Sequence, residues 1–306
     1  MLVHPTGKFD NHAKDYRHIK ALPLAAAMGA KIEGANVGDL SDAQFDEIRD
    51  ALFRHKMIYF RDQDISLDAL EAFSQRFGVF AEDAYTDGIP GHPNIQPLVR
   101  EANAKGEHIF GSGWHSDGPF LAAPPAISIL FGVDIPPYGG DTIWANTALG
   151  YATLSDKMKN LIAPLHVHMS MKKVLASVIE HGAHDETPLG RLAALGREGN
   201  LPDDVVRKVK GVFHPLVSNH PVSGEKAIYC DEAYAVGIDG MSEEEASSLI
   251  NFLTAHITQL AFTCRLRWRA KTLALWDNRL CIHQAFNDYA GMRRELYRTT
   301  IAGERR

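Results

Sequence analysis

The apolar residues of this chain come in short runs closed by turn residues: AISILFGV at 126–133, DTIWAN at 141–146, KTLALWD at 271–277 and YRTTIAG at 297–303. Runs of about four to eight residues, rich in β-branched and aromatic side chains, are too short for packed helices and suit strands. Helical signals are fewer. Ser41 with Gln44 forms a capping box, after which Phe45, Ile48 and Leu52 share one face. A second helix is expected from Leu67 to Phe77, with Leu67, Leu70, Phe73 and Phe77 as its stripe. A third begins at Ser242, where Glu245 completes another capping box and Ala246, Leu249, Ile250, Leu253 and Ile257 face one way. Arg265, Arg267, Arg269 and Lys271 alternate with Leu266, Trp268 and Ala270, which reads as a strand with one solvated face and Trp268 turned inward. The stretch at about 172–210 is mixed and helix-leaning, an insertion between strands, and Gly139-Gly140 reads first of all as a hairpin turn. Helices at the front and strands through the rest predict a mainly β, α+β fold, a double-stranded β-helix (jelly roll) with flanking helices.

A length of 306 residues would allow two domains, but no repeat, linker or low-complexity tract divides the chain, so a single domain over 1–306 is expected. A formal net charge of −6 gives no general attraction to phosphate backbones or anionic lipid, and nucleic-acid and membrane partners are not expected. The first twenty residues carry no apolar run of export-signal length, and nowhere does the chain hold a membrane-spanning run. Cys230, Cys264 and Cys281 are odd in number and form no C-x-x-C pair, which argues against a disulfide scaffold or thiolate zinc site and for a cytoplasmic location.

Chemistry is concentrated in two places. His115 and Asp117, in GSGWHSDGPF, stand two apart, and on an extended segment such positions share a side about 7 Å apart at Cα. One imidazole and one carboxylate then fall adjacent, although a chain with 15 histidines would show one H-x-D by chance. The second place is WDNRLCIHQAFNDYAGMRRELYRTTIAG, where two strand-like halves flank 287–291 and predict a hairpin that sets His283 opposite Arg294 or Leu296. Arg294 and Arg298 would share an inward face, and buried guanidinium groups require anions.

These elements together resemble the iron and 2-oxoglutarate oxygenases, and more narrowly the taurine dioxygenase / 2,4-dichlorophenoxyacetate dioxygenase (TauD/TfdA) family. The resemblance runs from about Leu24 to Gly303, through W-H-S-D at 114–117, PPYGGDTIWAN at 136–146, WDNR at 276–279, His283 and YRTTI. It implies Fe(II) held by His115, Asp117 and His283, 2-oxoglutarate gripped at its distal carboxylate by Arg294 with Thr142 assisting, and dioxygen as co-reactant. The keto acid would leave as succinate and CO2 while the substrate is hydroxylated. By the same resemblance Arg298 lies near the cosubstrate and reaches a substrate anion, while Phe120 and Trp268 stand at aromatic pocket positions. The taurine enzymes carry a His and an Asn where this chain has Asp83 and Gly111, so the expected substrate is another small organic anion: an aryloxyalkanoate, an alkyl sulfate, a different sulfonate or a similar carboxylate. A homo-oligomer is the expected assembly.

Two rival classes follow from other residues. His166 and His168, an H-x-H pair, could open a cupin or metallohydrolase site with His214 or His220. A non-catalytic jelly-roll binding protein would need none of these groups. Neither G-x-G-x-x-G nor a P-loop is present, which removes dinucleotide and nucleotide-triphosphate chemistry.

Overall fold

The computed structural model describes residues 9–82, 88–104, 111–181 and 194–305, and the account below concerns these. Strands β1 (Lys20–Pro23) and β2 (Ala30–Glu33) lead into helix α1 (Asp42–His55), β3 (Met57–Phe60) and α2 (Leu67–Gln75). Next come β4 (Gln96–Arg100), β5 (Ile127–Asp134), β6 (Thr142–Asn146), α3 (Thr147–Thr153), α4 (Asp156–Ile162) and β7 (His166–Met169). Helices α5 (Lys172–His181) and α6 (Asp203–Lys210) precede β8 (Val212–Pro215), β9 (Val217–Asn219), β10 (Lys226–Ile228) and β11 (Ala235–Ile238). Helix α7 (Glu243–Ile257) then leads to β12 (Thr263–Leu266), β13 (Leu273–Asp277), β14 (Cys281–Ala285) and β15 (Arg294–Ile301).

Seven strands form one sheet in the order β1-β2-β3-β13-β5-β15-β4, antiparallel except for β2 beside β3. Alternation along its strands feeds two cores. Leu273 and Leu275 of β13, Ile58 and Phe60 of β3, and Ile127 and Ile129 of β5 meet Phe45, Ile48 and Leu52 of α1 and Leu70 and Phe73 of α2. The opposite parity, Ala274, Trp276, Met57, Tyr59 and Leu130, meets Trp144, Cys264 and Cys281 from the facing sheet β12-β6-β14. Both faces are buried, which is why these strands read as continuous apolar runs rather than as alternating ones. Behind the smaller sheet, Ala145 and Ile282 pack on Val167, Ala235, Leu253 and Ile257 of β7, β11 and α7.

Both capping boxes form: Ser41 and Ser242 each cap the amide three residues on, and Gln44 and Glu245 return to the cap backbone. The chain between 170 and 211, with α5 and α6, separates β7 from β8, which pair with each other antiparallel.

Three expectations need correction. The segment around Tyr289 is no hairpin: β14 pairs with β6 while β15 pairs with β5 and β4, so the chain crosses from one sheet to the other. Likewise Gly139-Gly140 turns between sheets rather than closing a hairpin, since β5 and β6 lie in different ones. In a sandwich, a turn signal marks a reversal of direction without saying which strand receives the chain. The basic strand stops at Leu266, and Lys271 lies beyond it with a left-handed φ of 60° in the turn that precedes β13. Trp268 is nevertheless buried.

Candidate metal centre

His115 is a lone bridge residue flanked by bends, and every backbone N–H of the H-x-D is tied down. The His115 N–H donates to His283 O at 2.9 Å and the His283 N–H donates to His115 O at 2.8 Å, an antiparallel bridge onto β14. Ser116 N–H donates to Asp231 Oδ2 at 3.2 Å, and Asp117 N–H to Asn278 Oδ1 at 3.4 Å. One strand pairing thus places His283 beside His115, with ring centroids 4.1 Å apart.

His115, Asp117 and His283 are buried and offer ligand atoms that all lie within 4.8 Å of one another. The His115 Nδ1 contacts Gly113 O at 2.8 Å. A carbonyl only accepts, so Nδ1 carries the proton and the Nε2 lone pair is free, 3.9 Å from Asp117 Oδ1. Burial, then the neighbouring His115 and Arg298, pulls the His283 imidazole down to about 3, so it is neutral near pH 7. Its Nδ1 is buried without a hydrogen-bond partner. Burial pushes the Asp117 carboxyl up, but His283, Arg298, His115 and the Ser128 hydroxyl together hold it below its ordinary value, as an anion. Two imidazoles and one carboxylate grouped this closely fit a divalent cation and leave its remaining positions open.

The cations sit on β15. Arg298 is 5% exposed and its Nη1 lies 3.6 Å from Asp117 Oδ1. Arg294 donates from Nη2 to Gly140 O at 3.0 Å and lies against the Tyr289 ring; burial lowers its pKa from the guanidinium value. A Cβ at Gly140, whose φ is 67°, would stand 3.0 Å from Arg294 Nε, so glycine is required where the turn meets this side chain. Thr142 is buried on β6, and the Trp268 indole N–H donates to its Oγ at 2.9 Å.

Phe120 is buried with Met171 and Tyr234, and the Tyr234 ring stands 6.3 Å from His115. Asp83 lies outside the described residues. Gly111 faces the site: an added Cβ would fall 3.2 Å from His115 Cε1 and 3.7 Å from Nε2. His166 and His168 join no metal-capable group among the described residues; the His168 Nε2–H donates to Lys210 O, His214 lies on the Pro119 and Leu121 carbonyls, and His220 pairs with Asp277.

Sequence reasoning missed Asp231 and Ser128. Asp231 is fully buried, accepts from Ser116 and Tyr234 amides, and is pushed up to about 6 by burial. No pattern marks it. Ser128 did leave a signal, a lone hydroxyl inside AISILFGV.

A mixed helix-and-sheet protein that buries two imidazoles and a carboxylate beside a pair of interior arginines belongs among the metal- and keto-acid-dependent oxygenases. Residues 19–300 match the family described as "Taurine catabolism dioxygenase TauD, TfdA family", and the chain is a member of it. It is 34% identical over 284 residues to the α-ketoglutarate-dependent sulfate ester dioxygenase of Pseudomonas putida, covering 92% of this chain and 89% of that one. A taurine dioxygenase from Burkholderia xenovorans superposes with a TM-score of 0.76 at 30% identity, covering 94% of this chain and 90% of that one. The protein AAD-2, solved with Mn(II) and N-oxalylglycine, superposes with a TM-score of 0.73 at 25% identity, covering 94% of this chain and 98% of that one. The protein is therefore an α-ketoglutarate (2-oxoglutarate)-dependent dioxygenase, of a class that uses Fe(II), 2-oxoglutarate and O2. No helix among the described residues is long and apolar enough to cross a membrane.

Proposed function

We propose that this enzyme hydroxylates a small organic anion, with an alkyl sulfate ester as first candidate, at the carbon next to the anion-bearing oxygen. The observation that carries this reading is Arg298, a buried guanidinium 3.6 Å from Asp117 Oδ1. It lies four residues from Arg294, about 13 Å at Cα by strand rise, so one cosubstrate carboxylate hardly engages both. Arg294 then holds the distal carboxylate of 2-oxoglutarate as a planar fork, and Arg298 meets the substrate anion near the metal. The sulfate ester activity of the Pseudomonas putida relative supports the choice of anion.

His115, Asp117 and His283 would hold Fe(II), which with 2-oxoglutarate and O2 would supply the oxidation: one oxygen atom for the substrate C–H bond and the other for succinate, with loss of CO2. Thr142 accepts the Trp268 N–H, which turns its own hydroxyl proton toward the cosubstrate carboxylate. Phe120 and Tyr234 form an apolar wall for the substrate chain. After hydroxylation of a sulfate ester the same carbon bears two oxygens; the hydroxyl proton leaves, the C–O bond to sulfate breaks, and an aldehyde and hydrogen sulfate separate.

The reading extends to the whole chain: the facing sheets as a double-stranded β-helix, residues 1–306 as one domain with an insertion at about 172–210, and a homo-oligomer in the cytoplasm. Three buried, unpaired cysteines accord with a reducing compartment, and light scattering tests the assembly. Oxygen uptake and succinate release with alkyl sulfates, sulfonates, aryloxyalkanoates and their neutral esters or amides test the substrate. Anions are expected to turn over and Arg298→Leu to lose that preference; neutral analogues reacting equally well would overturn the reading.

A further inference from the structure

We propose that Ser128, held by Asn278, is a positioning residue that keeps Asp117 a one-oxygen ligand by occupying Oδ2 and leaving Oδ1 to the metal. The inference rests on the reading of His115, Asp117 and His283 as the metal set. Ser128 is fully buried on the inward face of β5, where its hydroxyl stands 2.5 Å from Asp117 Oδ2 and 2.8 Å from Asn278 Nδ2.

The direction of these bonds is forced. Asn278 Oδ1 receives the Trp276 indole N–H at 2.9 Å and the Asp117 backbone N–H at 3.4 Å, and both groups only donate. Its amide cannot be turned over without facing donors to donors, so Nδ2 must point at Ser128 and donate. The Ser128 oxygen is thereby an acceptor for Asn278, and its single proton goes to Asp117 Oδ2. The relay from Trp276 through Asn278 and Ser128 to Asp117 has one polarity.

The other carboxylate oxygen looks elsewhere: Oδ1 lies 3.9 Å from His115 Nε2 and 3.6 Å from Arg298 Nη1. The short charge-assisted bond takes one lone pair of Oδ2 and fixes the rotation of the carboxylate, so turning both oxygens onto one cation would strain or break it. A second Asp117 oxygen on the ion would take a position that the keto acid or dioxygen needs. Ser128 therefore protects cosubstrate access as well as fixing the carboxylate, and groups that orient a metal ligand typically change metal affinity about 10–100-fold when removed.

The test is Mn(II) binding, followed by the loss of the free-ion paramagnetic resonance signal, together with anaerobic 2-oxoglutarate titration of the Fe(II)-loaded protein by its visible absorption. Ser128→Ala is expected to weaken Mn(II) binding by about tenfold or more and to weaken 2-oxoglutarate binding at saturating Fe(II), while Ser128→Thr, which keeps the hydroxyl, recovers both. Asn278→Asp is the second variant. It is isosteric, removes the amide donor and draws the Ser128 proton to itself, so Mn(II) affinity should fall although a negative charge was added. Asp117→Ala is the reference. Wild-type Mn(II) affinity in Asp117→Ala would overturn the metal set itself. Loss of metal in Asp117→Ala, with wild-type Mn(II) and 2-oxoglutarate affinities in both Ser128→Ala and Asn278→Asp, would overturn the relay and leave the metal set standing.

Discussion

Arg294 and Trp268 make the residue-level chemistry of the cosubstrate testable without knowing the prime substrate. A charged, hydrogen-bonded pair that loses one partner in a largely desolvated place costs about 2–5 kcal/mol, so Arg294→Ala should raise the 2-oxoglutarate constant well over tenfold. Titration under nitrogen reads this directly, and an unchanged constant would remove Arg294 from the site. Trp268→Phe keeps the packing but deletes the 2.9 Å bond to Thr142. One such bond is worth about 1 kcal/mol net, so the same titration should show a roughly fivefold loss. His115, Asp117, His283, Arg294 and Thr142 entered as candidates through the family resemblance, to which the H-x-D spacing and the inward face of Arg294 lent chemical sense. Asp231 did not, since a buried acid that receives one amide three residues on and another from the distant Ser116 leaves no periodic trace.

At the level of elements, the reciprocal capping boxes were legible, whereas the short helices α3 and α4, capped by Asn146 and Ser155 without a returning side chain, were not. Both capping boxes formed as Ser41/Gln44 and Ser242/Glu245 required. Ser242→Ala should cost about 1 kcal/mol in urea unfolding with metal affinity unchanged, because the cap lies at the outer end of α7 and touches nothing in the site. Gly140→Ala should behave oppositely. Its left-handed φ adds about 1–2 kcal/mol of strain, and the new Cβ presses on Arg294, so a weakened 2-oxoglutarate constant is expected beyond the stability loss. Strand partners were read poorly. The Tyr289 and Gly139-Gly140 turns both carry the chain between sheets, and pairing across sheets depends on contacts far away in sequence.

For the whole molecule, two buried groups predict how stability responds to acid. His55 is fully buried at the end of α1, with Nδ1 2.6 Å from Asn11 Oδ1 and Nε2 without a hydrogen-bond partner. Burial, then the charges of Arg54 and Lys56, depresses it to about 4. Its unfolded value is about 6.5, so the stability it supports is present above that pH and is lost as the pH falls toward 4, about 2 kcal/mol between pH 7 and 5. Asp277 is pushed up by burial, but Arg279 and His220 outweigh this and hold it well below the carboxylate range. Its contribution is present above about pH 4 and is lost on further acidification. Urea midpoints of the wild type should therefore fall between pH 7 and 5, and His55→Gln should flatten that slope; an unaltered slope would show that His55 is not the group responsible. The sequence by itself determined helices α1 and α7 with their capping boxes, helix α2, the strand segments that became β5, β6, β13 and β15, and the motifs that carry the family resemblance, since each depends on residues close together along the chain. Only the tertiary structure decided which sheet each strand joins, that His283 bridges His115 through the backbone, and that Ser128, Asn278 and Asp231 hold the H-x-D in place. Those contacts join residues far apart in the chain, and burial between two sheets fixes their geometry only once the whole core has closed.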